Sequence, residues 1–327
     1  MTPERIYRKN LAWPMKSVRM TRGVCASAAT DRLYISHSNG AVLCMDLRTD
    51  KELWNKPYIK MGGGCDRLVM HPNGKKIYIP SGYWSKDEHM KVVDGMTGEL
   101  LKVIVVSPKG GCHDALCSID GKRVYCGSTR YNTLTVIDTD KDEIVQRIGP
   151  FKGPIFPFTV NGAQTQCIVN TSRELVGFEI GDIRTGKKIG QVRVKSQIGQ
   201  KRRCHGVGMT PDEKEIWLVD QDKKKLYVFD NTVSPPKEMQ SIDVALKSHG
   251  WITFSIDGQY AWPDTGDVID ARTKKIVATL RDANGKRVVS SKFIEVQFRG
   301  KDAVQIGLQL GVGRVTAPEP KKKTKGK

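Results

Sequence analysis

The sequence predicts an all-β fold, a single β-propeller of four-stranded blades, and two recurring runs carry that prediction. One is a short apolar-aromatic run; the other is a run that ends in aspartate. The terminal aspartates, Asp46, Asp94, Asp138, Asp182, Asp230 and Asp270, stand 48, 44, 44, 48 and 40 residues apart. That period matches the roughly 40–50 residues of a propeller blade. A single sheet of this kind cannot bury both faces, so successive sheets must stack around an axis, and a ring of them leaves no exposed end.

Each strand of the repeat has its own signal. The unit is clearest at 110–128, which reads GGCHDALCSIDGKRVYCGS: a first strand, an Asp-Gly turn and a second strand. Equivalent second strands read RLYIS at 32–36, KIYIP at 76–80, QCIVN at 166–170, EIWLV at 215–219 and QYAWP at 259–263. Most follow Asn-Gly, Asp-Gly or Asp-Glu, dipeptides that turn an antiparallel hairpin. Third strands end on the six aspartates, and Asp46, Asp94, Asp182 and Asp270 are each followed three residues later by Thr. An Asx- or Thr-capped turn there returns the chain into a fourth strand, such as 100–106 or 276–280. Alternation is blurred in runs such as VIVV at 103–106, because blade strands are covered on both faces. Six repeats are explicit. A seventh blade is expected from 292–298 and 302–306, with 5–16 adding a strand that locks the ring; six blades is the alternative. The propeller domain then spans 1–316, and 317–327 reads as a disordered basic tail.

Composition narrows the classes. With 39% hydrophobic and 27% charged residues the chain can bury a core, and no apolar run approaches the roughly 18 residues of a membrane span. Net charge is +19, of which the last ten residues, PEPKKKTKGK, hold +4. The remaining +15 is spread through turns such as 75–76, 122–123, 187–188 and 223–225. Solvated lysines that keep sheet edges from pairing explain that pattern more simply than a phosphate-binding surface. The eight cysteines show no CxxC and no close-paired spacing. The first twenty residues contain no 7–15 residue apolar core. The expected location is therefore cytoplasmic as written, or periplasmic or secreted if a leader was removed, and the expected state is a monomer.

The pattern Cys112-His113-Asp114 followed by Ile119-Asp120-Gly121-Lys122-Arg123-Val124-Tyr125 recurs as Cys204-His205-Gly206 before Thr210-Pro211-Asp212. It recurs again as His249-Gly250 before Ser255-Ile256-Asp257-Gly258. Over about residues 18–300 this resembles the YVTN-repeat β-propeller family. It is WD40-like in architecture, yet it lacks the Trp-Asp dipeptide of WD40 blade ends and the glycine and aromatic code of kelch repeats. The resemblance implies that each blade's first strand lines a central channel. The strand starts would lie at one mouth, beside the loops that join second to third strands. On that map Asp66, Arg67, His113, His205, His249 and Trp251 reach the mouth from strand starts, and the loops bring Trp84, Arg130 and Tyr131. Five of the six histidines, all but His71, fall on this face. The family is functionally mixed, so the fold alone assigns no chemistry.

His113 and His205 share one repeat position, which Asp66 takes in the second repeat. His249 lies one residue further from its Asp-Gly turn, so a bulge is needed to bring it alongside. Imidazole ligates metals and titrates near neutrality. His113, His205 and His249 are accordingly the candidate ligands of a divalent metal ion, the one cofactor suggested. No HxxH or HxH spacing supports that set, and a histidine at a repeated position can instead satisfy backbone of the neighbouring blade. Cys65, Cys112 and Cys204, equivalent to one another, read as small residues at tight inter-blade contacts. The loop at 81–89, SGYWSKDEH, carries Tyr83 and Trp84 and either walls a pocket or covers the adjoining blade. Gly62-Gly63-Gly64 reads as an inter-blade turn, since no GxxxxGK[ST] is present, and GxSxG and HExxH are absent too.

The function expected first is a binding module that presents this His-rich mouth to a small ligand, a metal ion or a protein partner. The alternative is a metal-assisted lyase or lactone hydrolase acting on an anionic substrate at the same face. There His113, His205 and Tyr131 are the catalytic candidates, and Asp66, Arg67, Trp84, Arg130, Tyr131 and Trp251 line the ligand site. A third reading is nucleic-acid binding through the basic surface, with Trp84 and Tyr131 stacking on bases.

Overall fold

The recurring hairpins fold into six four-stranded antiparallel sheets in which consecutive strands are neighbours, a six-bladed β-propeller. The computed structural model describes residues 21–59, 65–171, 175–199, 204–220, 222–247, 250–282, 284–290 and 292–307. Blade 1 is β1 (Thr21–Ser27), β2 (Arg32–His37), β3 (Ala41–Asp46) and β4 (Glu52–Pro57). Blade 2 is β5 (Val69–Met70), β6 (Lys76–Pro80), β7 (His89–Asp94) and β8 (Leu100–Val105). Blade 3 is β9 (Cys112–Cys117), β10 (Arg123–Ser128), β11 (Tyr131–Asp138) and β12 (Glu143–Ile148). Blade 4 is β13 (Ile155–Val160), β14 (Gln166–Thr171), β15 (Gly177–Asp182) and β16 (Lys187–Arg193). Blade 5 is β17 (Cys204–Met209), β18 (Glu215–Asp220), β19 (Lys225–Asp230) and β20 (Lys237–Asp243). Blade 6 is β21 (Ile252–Phe254), β22 (Tyr260–Pro263), β23 (Asp267–Asp270) and β24 (Lys275–Thr279). Burial falls outward across a blade: β9 is buried along its whole length, whereas β12 is mostly exposed or half-buried. First strands are therefore the inner ones. Among the described residues no helix is long and apolar enough to cross a membrane.

All six third strands end on the predicted aspartate, and the turn chemistry follows. Asp46 Oδ1 accepts from the amides of Arg48 and Thr49 at 2.9 and 2.8 Å and from the Thr49 hydroxyl at 3.0 Å. Asp94 and Asp270 repeat the arrangement with Thr97 and Thr273, which fixes the reversal into the fourth strand.

The aromatic position of the second strand links blades. The Tyr34 hydroxyl donates to the Gly95 carbonyl of blade 2 at 2.9 Å, Tyr78 to Asp142 Oδ1 of blade 3 at 2.6 Å, and Tyr125 to Gln164 Oε1 of blade 4 at 3.1 Å. In blade 5 the position is Trp217, whose indole N–H donates to Glu215, itself paired with Lys274 of blade 6 at 2.7 Å. Around these links the gaps fill with apolar side chains, such as Leu134, Phe151, Ile155 and Phe158 between blades 3 and 4. Burying one such side chain contributes about 1.5–3 kcal/mol, against about 0.5–1.5 kcal/mol net for a neutral hydrogen bond. Apolar contact therefore supplies most of the cohesion, and the tyrosines set register.

Two expectations need correction. Seven four-stranded blades are not what the described residues form: after blade 6 comes a two-stranded sheet, β25 (Val296–Arg299) with β26 (Asp302–Ile306). The physical reason lies in the segment itself, which has two short apolar runs and no Asp-terminated third strand. It still packs on both sides, Val288 and Phe293 against Trp262 and Leu280 of blade 6, and Ala303 and Ile306 against Ala26 and Leu47 of blade 1. The strand expected at 5–16, Gly62 to Gly64 and the tail lie outside the described residues. The second correction concerns Cys112, which is joined to Cys126 on the neighbouring strand in a disulfide. A separation of 14 residues carries no spacing signature, and only the pairing of β9 with β10 brings the two together. Cys65 and Cys204 are fully buried, in keeping with a packing role.

Candidate functional site at the channel mouth

The inner segments of blades 2 and 3 begin side by side. Arg67 and Asp114 form a parallel bridge, and the Arg67 amide donates to the His113 carbonyl at 3.3 Å. Asp66, Arg67, His113 and Asp114 thus lie at one level of the channel, all buried. Blades 5 and 6 approach through glycine. Gly206 and Gly250 have φ of 131° and 97°, and a Cβ on either would overlap a carbonyl oxygen of the facing strand. This close approach sets the His205 ring 5.0 Å from the Trp251 ring and 5.9 Å from that of His113, which itself stands 5.6 Å from Trp251.

The loop after β6 covers this group. Gly82 donates to the Cys112 carbonyl at 2.7 Å, and the Tyr83 amide donates to Asp66 Oδ2 at 2.9 Å. The Tyr83 ring meets His113 edge-on at 5.0 Å and Phe156 of blade 4 at 5.7 Å. Phe156 completes the wall at 5.2 Å from His205. Arg67 also borders an apolar cavity of about 50 Å³ between the inner strands of blades 1, 2 and 3, which Ile294 lines too.

Electrostatics divide the two carboxylates. Burial alone would raise Asp66, but the charge of His113 and its hydrogen bond, Nδ1 to Asp66 Oδ2 at 2.8 Å, outweigh that and hold the carboxyl below its usual range. An ionised Asp66 makes Nδ1 the protonated nitrogen, leaving Nε2 3.8 Å from Asp114. Asp114 is raised, by burial first and by the like charge of Asp66, despite His113 and an Arg67 contact at 3.7 Å. Burial brings Arg67 down to about 9, still cationic at neutral pH, and its guanidinium carbon lies 3.0 Å from the centre of the Trp251 ring. Lys292, 4.9 Å over the same ring, is brought down to about 7 by burial and by the Arg67 charge. His205 is driven well below its ordinary value by burial, with His113 and Arg67 adding to the effect. It is a neutral imidazole at physiological pH.

Asp66, Arg67, His113, His205 and Trp251 therefore meet as the repeat positions predict. The other predicted residues do not join them. Trp84 is 62% exposed and its neighbour Tyr83 is the one that walls the cluster. Arg130 reaches the Trp84 carbonyl at 3.3 Å, and Tyr131 lies under the Arg147 guanidinium at 5.3 Å. His249 lies outside the described residues, and among the described residues no three His, Cys, Asp or Glu are grouped to hold a metal ion. Phe156 and Lys292 were not expected there, and Asp114, although part of the first-strand motif, was not singled out as a ligand residue. Asp114 follows His113 directly, so its place was readable from the first-strand motif; Lys292 comes from a segment without repeat signature and had no such signal. Comparison with known proteins found no family model and no curated protein that matches the chain.

Proposed function

We propose that the chain is a YVTN-type propeller acting as a binding module, and that its channel cluster takes a small carboxylate-bearing molecule. One observation carries the reading. Both carboxylate oxygens of Asp114, Nε2 of His113 and Nδ1 of His205 are buried with no hydrogen-bond partner among the described residues. Each such group costs about 1–3 kcal/mol, a cost that a core avoids and a ligand site accepts. A hydroxy acid relieves it, its hydroxyl donating to Asp114 or to Nε2 of His113 while its carboxylate lies beside Arg67. The Arg67 guanidinium and the Lys292 amine give the site positive charge, and Trp251 gives it a flat wall. The test is calorimetric titration with glycolate, acetate and the neutral ethylene glycol. The acids bind, the diol does not, and affinity falls at least about tenfold, or 1.4 kcal/mol, in Arg67→Gln and Trp251→Leu. Acids that fail to bind, or that bind both variants as well as the natural chain, refute the proposal.

The Asp66–His113 pair favours a second reading, in which the anionic molecule is a substrate. With Nδ1 held by Asp66, Nε2 is an oriented proton acceptor facing the channel, the arrangement of a general base. The metal-assisted form of that reading needs His249 beside His113 and His205.

A further inference from the structure

We infer that Lys292 is a carbonyl-capturing amine, forming a reversible imine with a small oxo acid whose carboxylate lies beside Arg67. The inference rests on the carboxylate-binding reading and adds a covalent step to it.

Lys292 differs from the other lysines that approach buried groups. Lys76 donates to Asp142 at 2.7 Å, Lys274 to Glu215 at 2.7 Å, Lys91 to Asp87 and Lys188 to Glu179. The Lys292 amine has no hydrogen-bond or ion-pair partner among the described residues; only its backbone amide is bonded, to Ser290. It stands over the Trp251 indole, which also carries Arg67. The residue as a whole is half-buried. Ile294, two residues on, borders the cavity beside Arg67. The charged groups acting on the amine are Arg67 and Arg22, which disfavour its protonation, and Asp66 and Asp114, which favour it; burial is the largest influence and disfavours it. A lysine kept free of carboxylate partners, desolvated and set beside another cation is an activated nucleophile.

The step balances without a redox partner. The lone pair of the unprotonated amine forms the C–N bond, the carbonyl C=O bond breaks, and the oxygen leaves as water with the two amine protons. An ordinary lysine with a value near 10.4 is unprotonated in about one molecule in 2,500 at pH 7. At about 7, Lys292 is unprotonated in about half.

The test is to incubate the full chain at pH 7 with glyoxylate and sodium cyanoborohydride, and then to map N-carboxymethyl-lysine by peptide mass spectrometry. Because a less basic amine is also a weaker nucleophile, the expected advantage is smaller than the ratio of free amine. Lys292 should be labelled at least about tenfold faster than the exposed Lys122 and Lys214 in the same sample. Glycolate should suppress that labelling, and acetaldehyde should show less preference for Lys292. Lys292→Arg, which keeps the charge, should lose the fast site alone. Labelling of Lys292 no faster than Lys122 and Lys214 overturns the inference, and does so while leaving the binding reading intact if glycolate still binds. Acetaldehyde labelling with the same preference, unaffected by glycolate, overturns the oxo-acid assignment and the carboxylate site together.

Discussion

Replacing Asp66 with Asn removes one negative charge from the channel cluster and keeps the shape of the side chain. Asp66 accepts two hydrogen bonds, from His113 Nδ1 at 2.8 Å and from the Tyr83 amide at 2.9 Å, and it is 2% exposed. Both reach Oδ2, so the asparagine oxygen can keep both. Each then falls from a hydrogen bond to an ionised group, about 1.5–3 kcal/mol, to a neutral one of about 0.5–1.5 kcal/mol, a loss of about 1–1.5 kcal/mol per bond. Asp66→Ala loses both and leaves Arg67 with one fewer counter-charge, so its cost rises to about 3–5 kcal/mol. The pH window follows from the depressed carboxyl of Asp66. Its contribution is fully present above the unfolded value of about 3.9 and is lost as pH falls through the lower folded value. Urea denaturation of the natural chain and both variants from pH 8 to 3 measures this. The stability gap should persist from pH 8 to pH 5 and narrow below about pH 4. An Asp66→Asn gap under about 0.5 kcal/mol at pH 7, or one that disappears between pH 7 and pH 5, would show that Asp66 is not the ionised anchor of His113.

Two further outcomes are expected from the blade contacts. Tyr78→Phe removes a hydrogen bond to the Asp142 carboxylate and should cost about 1.5–3 kcal/mol, whereas Tyr34→Phe, whose hydroxyl meets the neutral Gly95 carbonyl, should cost about 1 kcal/mol. Equal costs in urea titrations would mean that the charge of Asp142 is irrelevant to the link. Gly206→Ala places a methyl against the Gly250 carbonyl at a φ of 131° and should destabilise by at least about 2 kcal/mol while separating His205 from Trp251; unchanged histidine ring shifts in its NMR spectrum would contradict that.

The repeat is legible because its signals are local. An aspartate that caps the next two amides, or an Asp-Gly that turns a hairpin, acts within a few residues, and so Asp46, Asp94 and Asp270 could be placed from the chain alone. His113 and His205 were legible as a pair because repeat symmetry maps equivalent positions to one level of the channel. For Tyr131 the same symmetry says nothing about which way a loop side chain leans, and its ring lies beside Arg147 of β12 and not beside the cluster. Lys292 was unreadable for a different reason. Its environment is made by Arg67 and Trp251, 225 and 41 residues earlier in the chain, and no pattern of its own marks it. The count of blades went wrong where the repeat signal fades, after Asp270.

The contact of Lys292 with Trp251 gives the site a place in time as well as in space. A chain leaving the ribosome exposes its blades in order, and Asp66, His113 and His205 can be folded while later blades are still being made. The amine arrives only after all six four-stranded sheets have emerged, with the segment that also reaches back to Ala26 of blade 1. A nascent or prematurely terminated chain therefore carries the carboxylates and imidazoles without their last cation. The cation at that position is added only when synthesis has passed residue 292.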